Sequence, residues 1–506
     1  MSDLKATVSE TPAGFHVEGY EKISYDFSFV DGVFDVQNPG LADCYKPWGR
    51  VLAVTDKNVF GLYGDKMEAY FAHYGLTLKV HKTSIGEKAK TIDTFLQIAD
   101  SMTDFGIIRK EPVLVVGGGL VTDVAGFACA AYRRNTNFIR VPTTVIGLID
   151  ASVSIKVAVN YGNYKNRLGA YHAPMHTFLD FTFLRSLPIA QVRNGFAELI
   201  KISSCSHLQV FNLLDKYCEQ LIEHKFGRGD GATSELKQAA DIINREGIYE
   251  MLKLESPNLH EIGLDRVIAY GHTWSPLHEL VPATPLRHGH AISIDMAYTA
   301  TLANHRGLLS DAEHTRLLTL FSRAGLSIDH PQFDEGVLER GTAAILKTRD
   351  GKLRLAVPNP LGSCTFLNDV SNEELALVLR KHKEIAKNYP RQGEGLEAYV
   401  DGSDTGYTDL EQENLGVMNT VVENGGGVKK NVAKAVTNGA TNGSNGSNGT
   451  NGTNGHANVN DHVLANGQAH SINGFLKATD GVNGANGNSK ISNKTVEAVG
   501  VTNGAH

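Results

Sequence analysis

Apolar and polar positions along this chain change period near residue 190. Before that point, short apolar runs alternate with stretches of helical spacing. Residues 50–56 (RVLAVTD) are a continuous apolar run closed by an acid, the pattern of a strand buried on both faces. Residues 60–74 place apolar side chains at helical spacing, 76–82 form a second run, and 89–105 a second amphipathic helix. A third run, 112–116, breaks at Gly117-Gly118-Gly119; residues 121–132 then predict a helix of small residues, and 137–141 another strand. This alternation predicts an α/β fold, a mostly parallel sheet with helices on both faces. After about 190 the period is helical: 190–225, 233–252, 272–282, 288–306, 310–324 and 373–388 are predicted helices, with a short strand pair at 353–357 and 364–367. The second half is therefore predicted to be α-rich, and a cleft between the halves is the natural place for a site.

Neither period extends to the ends. Residues 1–20 are expected to be a loosely ordered extension, followed by an α/β domain over 21–190 and a helical domain over 191–400. Across 438–455, Asn-Gly recurs, from Asn442 onward every three residues, without proline, which excludes a collagen-like helix. Gly, Asn, Ser and Thr bury too little apolar surface to offset ordering entropy, so 401–506 is expected to be a disordered tail. The Asn-x-Ser/Thr triplets at Asn442, Asn445, Asn448 and Asn451 follow from the repeat itself.

Charge and cysteine usage narrow the class. The 506 residues carry a formal net charge of -7, which gives no basic footprint for nucleic acid. Five cysteines without CxxC spacing fit a reduced compartment. The polar start MSDLKATVSE has no apolar signal core, and no segment reaches the roughly 18 apolar residues of a membrane span. A cytoplasmic protein without membrane or nucleic-acid partners is expected.

The chemistry concentrates in a few segments. Glu198 in FAELIK, His272 in GHTW and His288 in RHGHA are a carboxylate and two imidazoles, the donor types of a catalytic zinc site with one open position. Lys201 lies on the same helix face as Glu198. The triple glycine with Asp123 lets backbone amides approach a pyrophosphate at a helix N-terminus, although a structural tight turn fits the GGGxxxD spacing equally well. Asp56 stands where an acid can bind ribose hydroxyls or cap a helix. Asp150, Lys156 and the Lys165-Asn166-Arg167 loop supply donors for an anionic substrate, and Arg133-Arg134 is a further basic pair. Lys156 is the only charge between Asp150 and Lys165, and so calls for a partner. These residues alone define an α/β enzyme that uses a nucleotide and a metal.

In order, GGGLVTDVAGFACAAYRR, VPTT, DASVSIK, KNRLGAYH, NGFAELIK, GHTW and RHGHAISIDM resemble the sugar phosphate cyclases, relatives of 3-dehydroquinate synthase, over about residues 20–390. The resemblance implies a Rossmann-like NAD-binding domain, a helical metal-binding domain and a homodimer. It places zinc, or cobalt, on Glu198, His272 and His288. It places NAD against Asp56, Glu87, Lys90, Gly118, Gly119, Asp123, Thr143 and Thr144. A sugar phosphate would be held by Asp150, Lys156, Asn166 and Lys201, with Arg134 and Lys347 on its phosphate.

The departures from the family are informative. Dehydroquinate synthases resemble one another in GHTxGHA, whose second histidine is Pro276 here, and the glutamate of their HGEA is His290. Proline cannot carry a proton, so the pattern instead resembles the members that cyclise sedoheptulose 7-phosphate. Ala269 before GHTW, Thr348 after Lys347 and the DASVSIKVAVN stretch resemble the branch that forms desmethyl-4-deoxygadusol, a precursor of mycosporine-like compounds, more than the branch that forms 2-epi-5-epi-valiolone. A polyol dehydrogenase of related fold is the more distant alternative.

Overall fold

A computed structural model describes residues 4–400 except Ile85 and Asn163. The expectation of a disordered tail at 401–506 lies outside the described residues.

The sequence 4–21, expected to be loose, forms an antiparallel hairpin of β1 (Leu4–Thr11) and β2 (Gly14–Glu21). Pro12-Ala13 makes the turn, and Val8 faces Val17 across the pair. Neither hydrophobic period revealed it because its side chains lie in solvent, Phe15 at 77% exposure.

Strands β3 (Asp26–Phe29), β4 (Arg50–Asp56), β5 (Thr77–Thr83), β6 (Val113–Gly117), β7 (Phe138–Pro142) and β10 (His176–Leu179) form one sheet in the order β3-β10-β7-β6-β4-β5, parallel throughout. Their side chains alternate between two cores. Val51 and Ala53 of β4, with Leu114 and Val116 of β6, face one apolar layer; Leu52, Val54, Val113 and Val115 face the other. That two-sided burial is why the strands read as unbroken apolar runs. The first layer includes Met67, Tyr70 and Phe71 of α2 (Lys57–His73). The second includes α3 (Ile92–Phe105) and α4 (Gly119–Ala131). From β4 the chain moves outward to β5, whereas from β6 it moves outward the other way to β7. The ends of β4 and β6 thus flank a topological switch point, where parallel α/β sheets open a ligand crevice.

Between β7 and β10 the chain forms a second hairpin, β8 (Lys156–Tyr161) with β9 (Tyr164–Tyr171), so Lys165-Asn166-Arg167, expected to be a loop, lies in a strand. Past β10 the fold is helical: α5 (Ile189–Ser206), α6 (Leu208–Glu223), α7 (Ser234–Glu255), the single turn α8 (Ser275–His278), α9 (His288–His305), α10 (Asp311–Arg323), α11 (Glu335–Thr348) and α12 (Asn372–Ala386). The short pair β11 (Leu355–Pro358) and β12 (Cys364–Leu367) sits among them as expected. The helix predicted over 190–225 breaks at His207, whose backbone is extended and whose ring accepts the Val210 N–H at the start of α6. The helix predicted over 272–282 shrinks to α8. The residues that lead into it are held as a turn by the Asp295 carboxylate of α9, and Pro276 fits its first turn, where no N–H is required. Residues 289–303 of α9 are all buried, making it the axis of the helical core. Among the described residues no helix is long and apolar enough to cross a membrane.

Candidate active site

Close backbone packing brings two donor-bearing helices together. A side chain at Gly289, in the first turn of α9, would collide with the backbone of Asn194 on α5; instead the Gly289 N–H reaches Asn194 Oδ1. One turn beyond Asn194 stands Glu198, fully buried, and its Oε1 lies 3.0 Å from His288 Nε2 and 4.0 Å from His272 Nε2. One ligand atom from each of Glu198, His272 and His288 falls within 4.8 Å of the others.

The supports of these donors fit a divalent ion. His272 Nδ1 is 3.2 Å from the Tyr270 carbonyl, an acceptor only, so the ring donates there and presents a bare Nε2. The loop bearing His272 is pinned by Asp295 of α9, whose Oδ2 accepts the N–H groups of Thr273, Trp274 and Ser275 at 2.9, 2.6 and 2.8 Å. His288 Nδ1 faces Glu279 Oε2 at 3.2 Å, again leaving Nε2 for the site. Burial opposes charge on His288, yet the Glu198 and Glu279 carboxylates hold its pKa up at about 9. The pair of acids is thus arranged around a positive charge, which a metal ion would supply in place of the proton. His272 is pushed down to about 3 by burial and by the Lys201 ammonium, so its imidazole stays neutral. Burial also opposes the Glu198 charge, but Lys201 Nζ at 2.5 Å and the His288 hydrogen bond hold that carboxyl well below the usual range.

From this donor set a cavity of about 1290 Å³ runs to the ends of β4 and β6. Asp56, Glu87, Lys90, Gly118, Gly119, Asp123, Thr143 and Thr144, the residues expected to hold a dinucleotide, all line it. Gly118 opens α4 with no side-chain cap, so the first amides of that helix face the crevice. A Cβ there would stand 3.0 Å from Thr144 Cγ2. Asp56 caps α2, accepting the Val59 N–H at 2.8 Å, and also lines the crevice. Lys90 Nζ bridges Asp123 Oδ2 (2.6 Å) and Asn166 Oδ1 (2.5 Å), tying the crevice to the β8–β9 hairpin.

The substrate-side residues partly converge. Asp150, Lys156, Asn166, His272 and His288 line the cavity. Lys201 sits behind it, 3.0 Å from Asp150 Oδ1. Lys156 has the pairing its sequence context called for, but from the helical half, about a hundred residues away: Glu255 (3.3 Å) and Glu261 (3.1 Å). Arg134 and Lys347 are exposed and absent from the cavity wall. Helix α4 starts at the crevice, and its 13 residues carry Arg134 about 20 Å along its axis. Lys347 occupies the last turn of α11. The wall instead draws positive charge from Lys165, Arg167, Arg266 and Arg287, besides Lys156.

Sequence reasoning did not single out Glu279, whose Oε1 holds Lys165 at 2.7 Å while Oε2 holds His288. Its position at the end of GHTWSPLHE, seven residues after His272, was the available signal. His290 turns away from the donors, as the 100° advance per helical residue requires. It is fully buried, and its Nδ1 accepts the Ser327 N–H at 3.2 Å.

Parallel sheet, glycine turn at its switch point and a three-donor set at the foot of the same cavity define a dinucleotide- and metal-dependent enzyme. Residues 80–194 match the family model described as 3-dehydroquinate synthase N-terminal, and 195–346 that described as 3-dehydroquinate synthase C-terminal. The chain belongs to the dehydroquinate synthase-like sugar phosphate cyclases. It is 56% identical over 399 residues to demethyl-4-deoxygadusol synthase of Trichormus variabilis, covering 79% of this chain and 97% of that one. The solved 2-epi-5-epi-valiolone synthase of Streptomyces hygroscopicus subsp. jinggangensis, with NAD+ and Zn2+ bound, is 35% identical; the match covers 73% of this chain and 99% of that chain with a TM-score of 0.68. A 2-deoxy-scyllo-inosose synthase solved with carbaglucose-6-phosphate, NAD+ and Co2+ shares the fold at 23% identity and a TM-score of 0.58, over 72% of this chain and 97% of that one.

Proposed function

We propose that this enzyme cyclises sedoheptulose 7-phosphate to desmethyl-4-deoxygadusol with loss of phosphate, using NAD and a divalent metal, zinc or cobalt. The convergence of Glu198, His272 and His288 at the foot of a dinucleotide crevice carries the reaction class. The identity to a demethyl-4-deoxygadusol synthase over nearly that protein's whole length supports the product. We place the enzyme in the cytoplasm as a homodimer, with residues 21–190 as the dinucleotide half and 191–400 as the metal half.

When bound, NAD supplies a reversible hydride acceptor for a ring alcohol, and the metal supplies a Lewis acid for the oxygen beside the acidified C–H. The protein's part is positioning and charge. Glu198, His272 and His288 hold the ion, and Glu279 and the Tyr270 carbonyl fix the two ring orientations. Lys201 balances Glu198 and orients Asp150 toward the substrate. Lys156 and Asn166 hold hydroxyls, and the basic cavity wall holds the phosphate. Arg134 and Lys347 take a phosphate role only if a second copy or a closed form brings them to the cavity. Pro276 offers no proton carrier where the family pattern has histidine, so the departing phosphate itself takes the proton during β-elimination. Ring opening and intramolecular aldol closure then form the carbocycle. Loss of phosphoric acid gives the valiolone composition, and one further water gives that of desmethyl-4-deoxygadusol, with no net redox change.

Incubation with sedoheptulose 7-phosphate, NAD and Zn2+ tests this. The expected result is stoichiometric phosphate, no net NADH, and a product with the strong ultraviolet absorbance of a conjugated enone. A non-absorbing product heavier by one water would make the enzyme a valiolone synthase. NADH accumulating from a simple alcohol, without phosphate release, would contradict the cyclase reading altogether.

A further inference from the structure

The last described segment of the chain is tied to both helices that carry metal donors. It is anchored after α10: Gly393 O accepts the Ile328 N–H (2.8 Å), the Gly395 N–H reaches Ser327 Oγ (3.0 Å), and the Leu396 N–H reaches Gly325 O (2.7 Å). It then crosses to the site. Ala398 O accepts the Arg287 N–H at 2.8 Å, the Val400 N–H reaches Pro285 O at 3.0 Å, and Leu286 and Tyr399 form an antiparallel bridge between these bonds. Glu397 engages two arginines: its carbonyl accepts Arg287 Nε at 2.8 Å, and its carboxylate pairs with Arg193.

Those arginines stand next to the donor set in two different elements. Arg287 immediately precedes the ligand His288 and occupies the N-cap position of α9. Arg193 precedes Asn194, whose side chain takes the Gly289 N–H, and lies on α5 five residues before Glu198. Glu397 reaches both from a left-handed backbone, φ 55°, a conformation that is strained for a non-glycine residue. Such strain persists where the surroundings over-determine it.

We propose that residues 396–400 form a positioning strap for the metal centre, in which Glu397, acting through Arg193 and Arg287, sets the spacing of Glu198 and His288. The strap contributes no metal donor, and of its residues Val400 lines the cavity; Glu397 acts by fixing where α9 begins relative to α5. The inference rests on reading Glu198, His272 and His288 as the metal set.

The test uses the full chain with Glu397→Gly, Arg193→Ala, the double variant and Arg193→Lys. Glu397→Gly relieves the left-handed backbone and keeps the carbonyl that Arg287 uses, so it deletes the carboxylate with the least disturbance. Zinc affinity by chelator competition and the visible spectrum of the Co2+ form are the readouts. Each single variant should weaken Zn2+ by about tenfold and alter the Co2+ spectrum, as outer supports of metal ligands do. The double variant should lose no more than the singles, because the pair acts as a unit. Arg193→Lys should recover most of the affinity, and turnover of the singles should recover at saturating Zn2+ with KM for the sugar phosphate unchanged. Folded Glu397→Gly and Arg193→Ala proteins with parental Zn2+ affinity and Co2+ spectrum would overturn the strap. A lower Tm with unchanged affinity in the folded fraction would overturn it too, by showing a purely structural role. His288→Ala separates the underlying reading: if that variant binds Zn2+ as the parent does, the metal assignment fails and the strap with it.

Discussion

At the scale of single residues, the site is organised by what surrounds each donor. Two histidines in one cavity differ in charge because their neighbours differ: His288 stands between two carboxylates, whereas His272 faces a carbonyl and the Lys201 ammonium. Alanine at Glu198 or His272 should therefore abolish metal binding and turnover together, read by metal content and phosphate release in the same sample. Glu279→Gln keeps the shape but removes the charge that orients His288 and pairs with Lys165. It should reduce zinc affinity by about 10–100-fold, measured by chelator competition, with NAD affinity little changed. Residue types and their motif neighbours made the three donors legible in the sequence. Glu279 was not, because one acid in a polar turn carries no period and no motif until its two partners, 114 and 9 residues away, are seen beside it.

At the scale of elements, placement depends on backbone approach and turn pinning. Gly289→Ala would drive a Cβ into the Asn194 backbone and push α9 from α5. The expected cost is about 1–3 kcal/mol of stability, together with weaker zinc binding, by denaturant titration and metal competition. Asp295→Ala would leave three backbone N–H groups of the His272 loop without their acceptor. Buried orphaned donors cost about 1–3 kcal/mol each, so this variant should be strongly destabilised and metal-free even when folded. Strands β4 to β7 and most long helices were legible because each carries a continuous or regularly spaced apolar set, whereas the four-residue edge strand β3, with no fully buried residue, and the short β10 were not. The β8–β9 hairpin, the outer hairpin and α11 were not. The hairpins spend much of their length in solvent, and α11 carries its apolar residues on a narrow stripe: Val337, Leu338 and Ile345. The break at His207 was hidden for the opposite reason, since apolar spacing continues across it from α5 into α6.

At the scale of the whole molecule, several buried histidines tie stability to pH. Burial is the leading cause that pushes His278 and His290 down to about 3 and His314 to about 4; the same rings titrate near 6.5 in an unfolded chain. Above about pH 6.5 they are neutral in both states and their contribution is intact. Below it the unfolded chain takes up protons that the folded one refuses, so stability falls by about 1.4 kcal/mol per pH unit for each such ring until the folded pKa is reached. Melting temperature should drop steadily from pH 7 to pH 5, and His290→Gln should flatten that slope relative to its own value at pH 7. A parent protein equally stable at pH 5 and pH 7 would contradict the neutral buried assignment. The division into sheet and helical halves was readable from the change of hydrophobic period. The cavity between them was readable only as an expectation, because pairs such as Lys156 with Glu255, Lys165 with Glu279 and His288 with Glu198 join segments about a hundred residues apart. Arg134 shows the converse: a basic pair beside a crevice motif in sequence ends a helix length away from it in space.

The central claim is that one carboxylate and two imidazoles from three separate segments share a single divalent ion at the foot of the dinucleotide crevice. X-ray absorption at the zinc edge of the NAD-loaded enzyme tests it directly. The account predicts one zinc per chain with two imidazole nitrogens and a carboxylate oxygen at about 2.0–2.2 Å, the nitrogen count falling to one in His288→Ala if metal is retained at all. Sulfur scattering at about 2.3 Å, or a ligand shell that His288→Ala leaves unchanged, would contradict it.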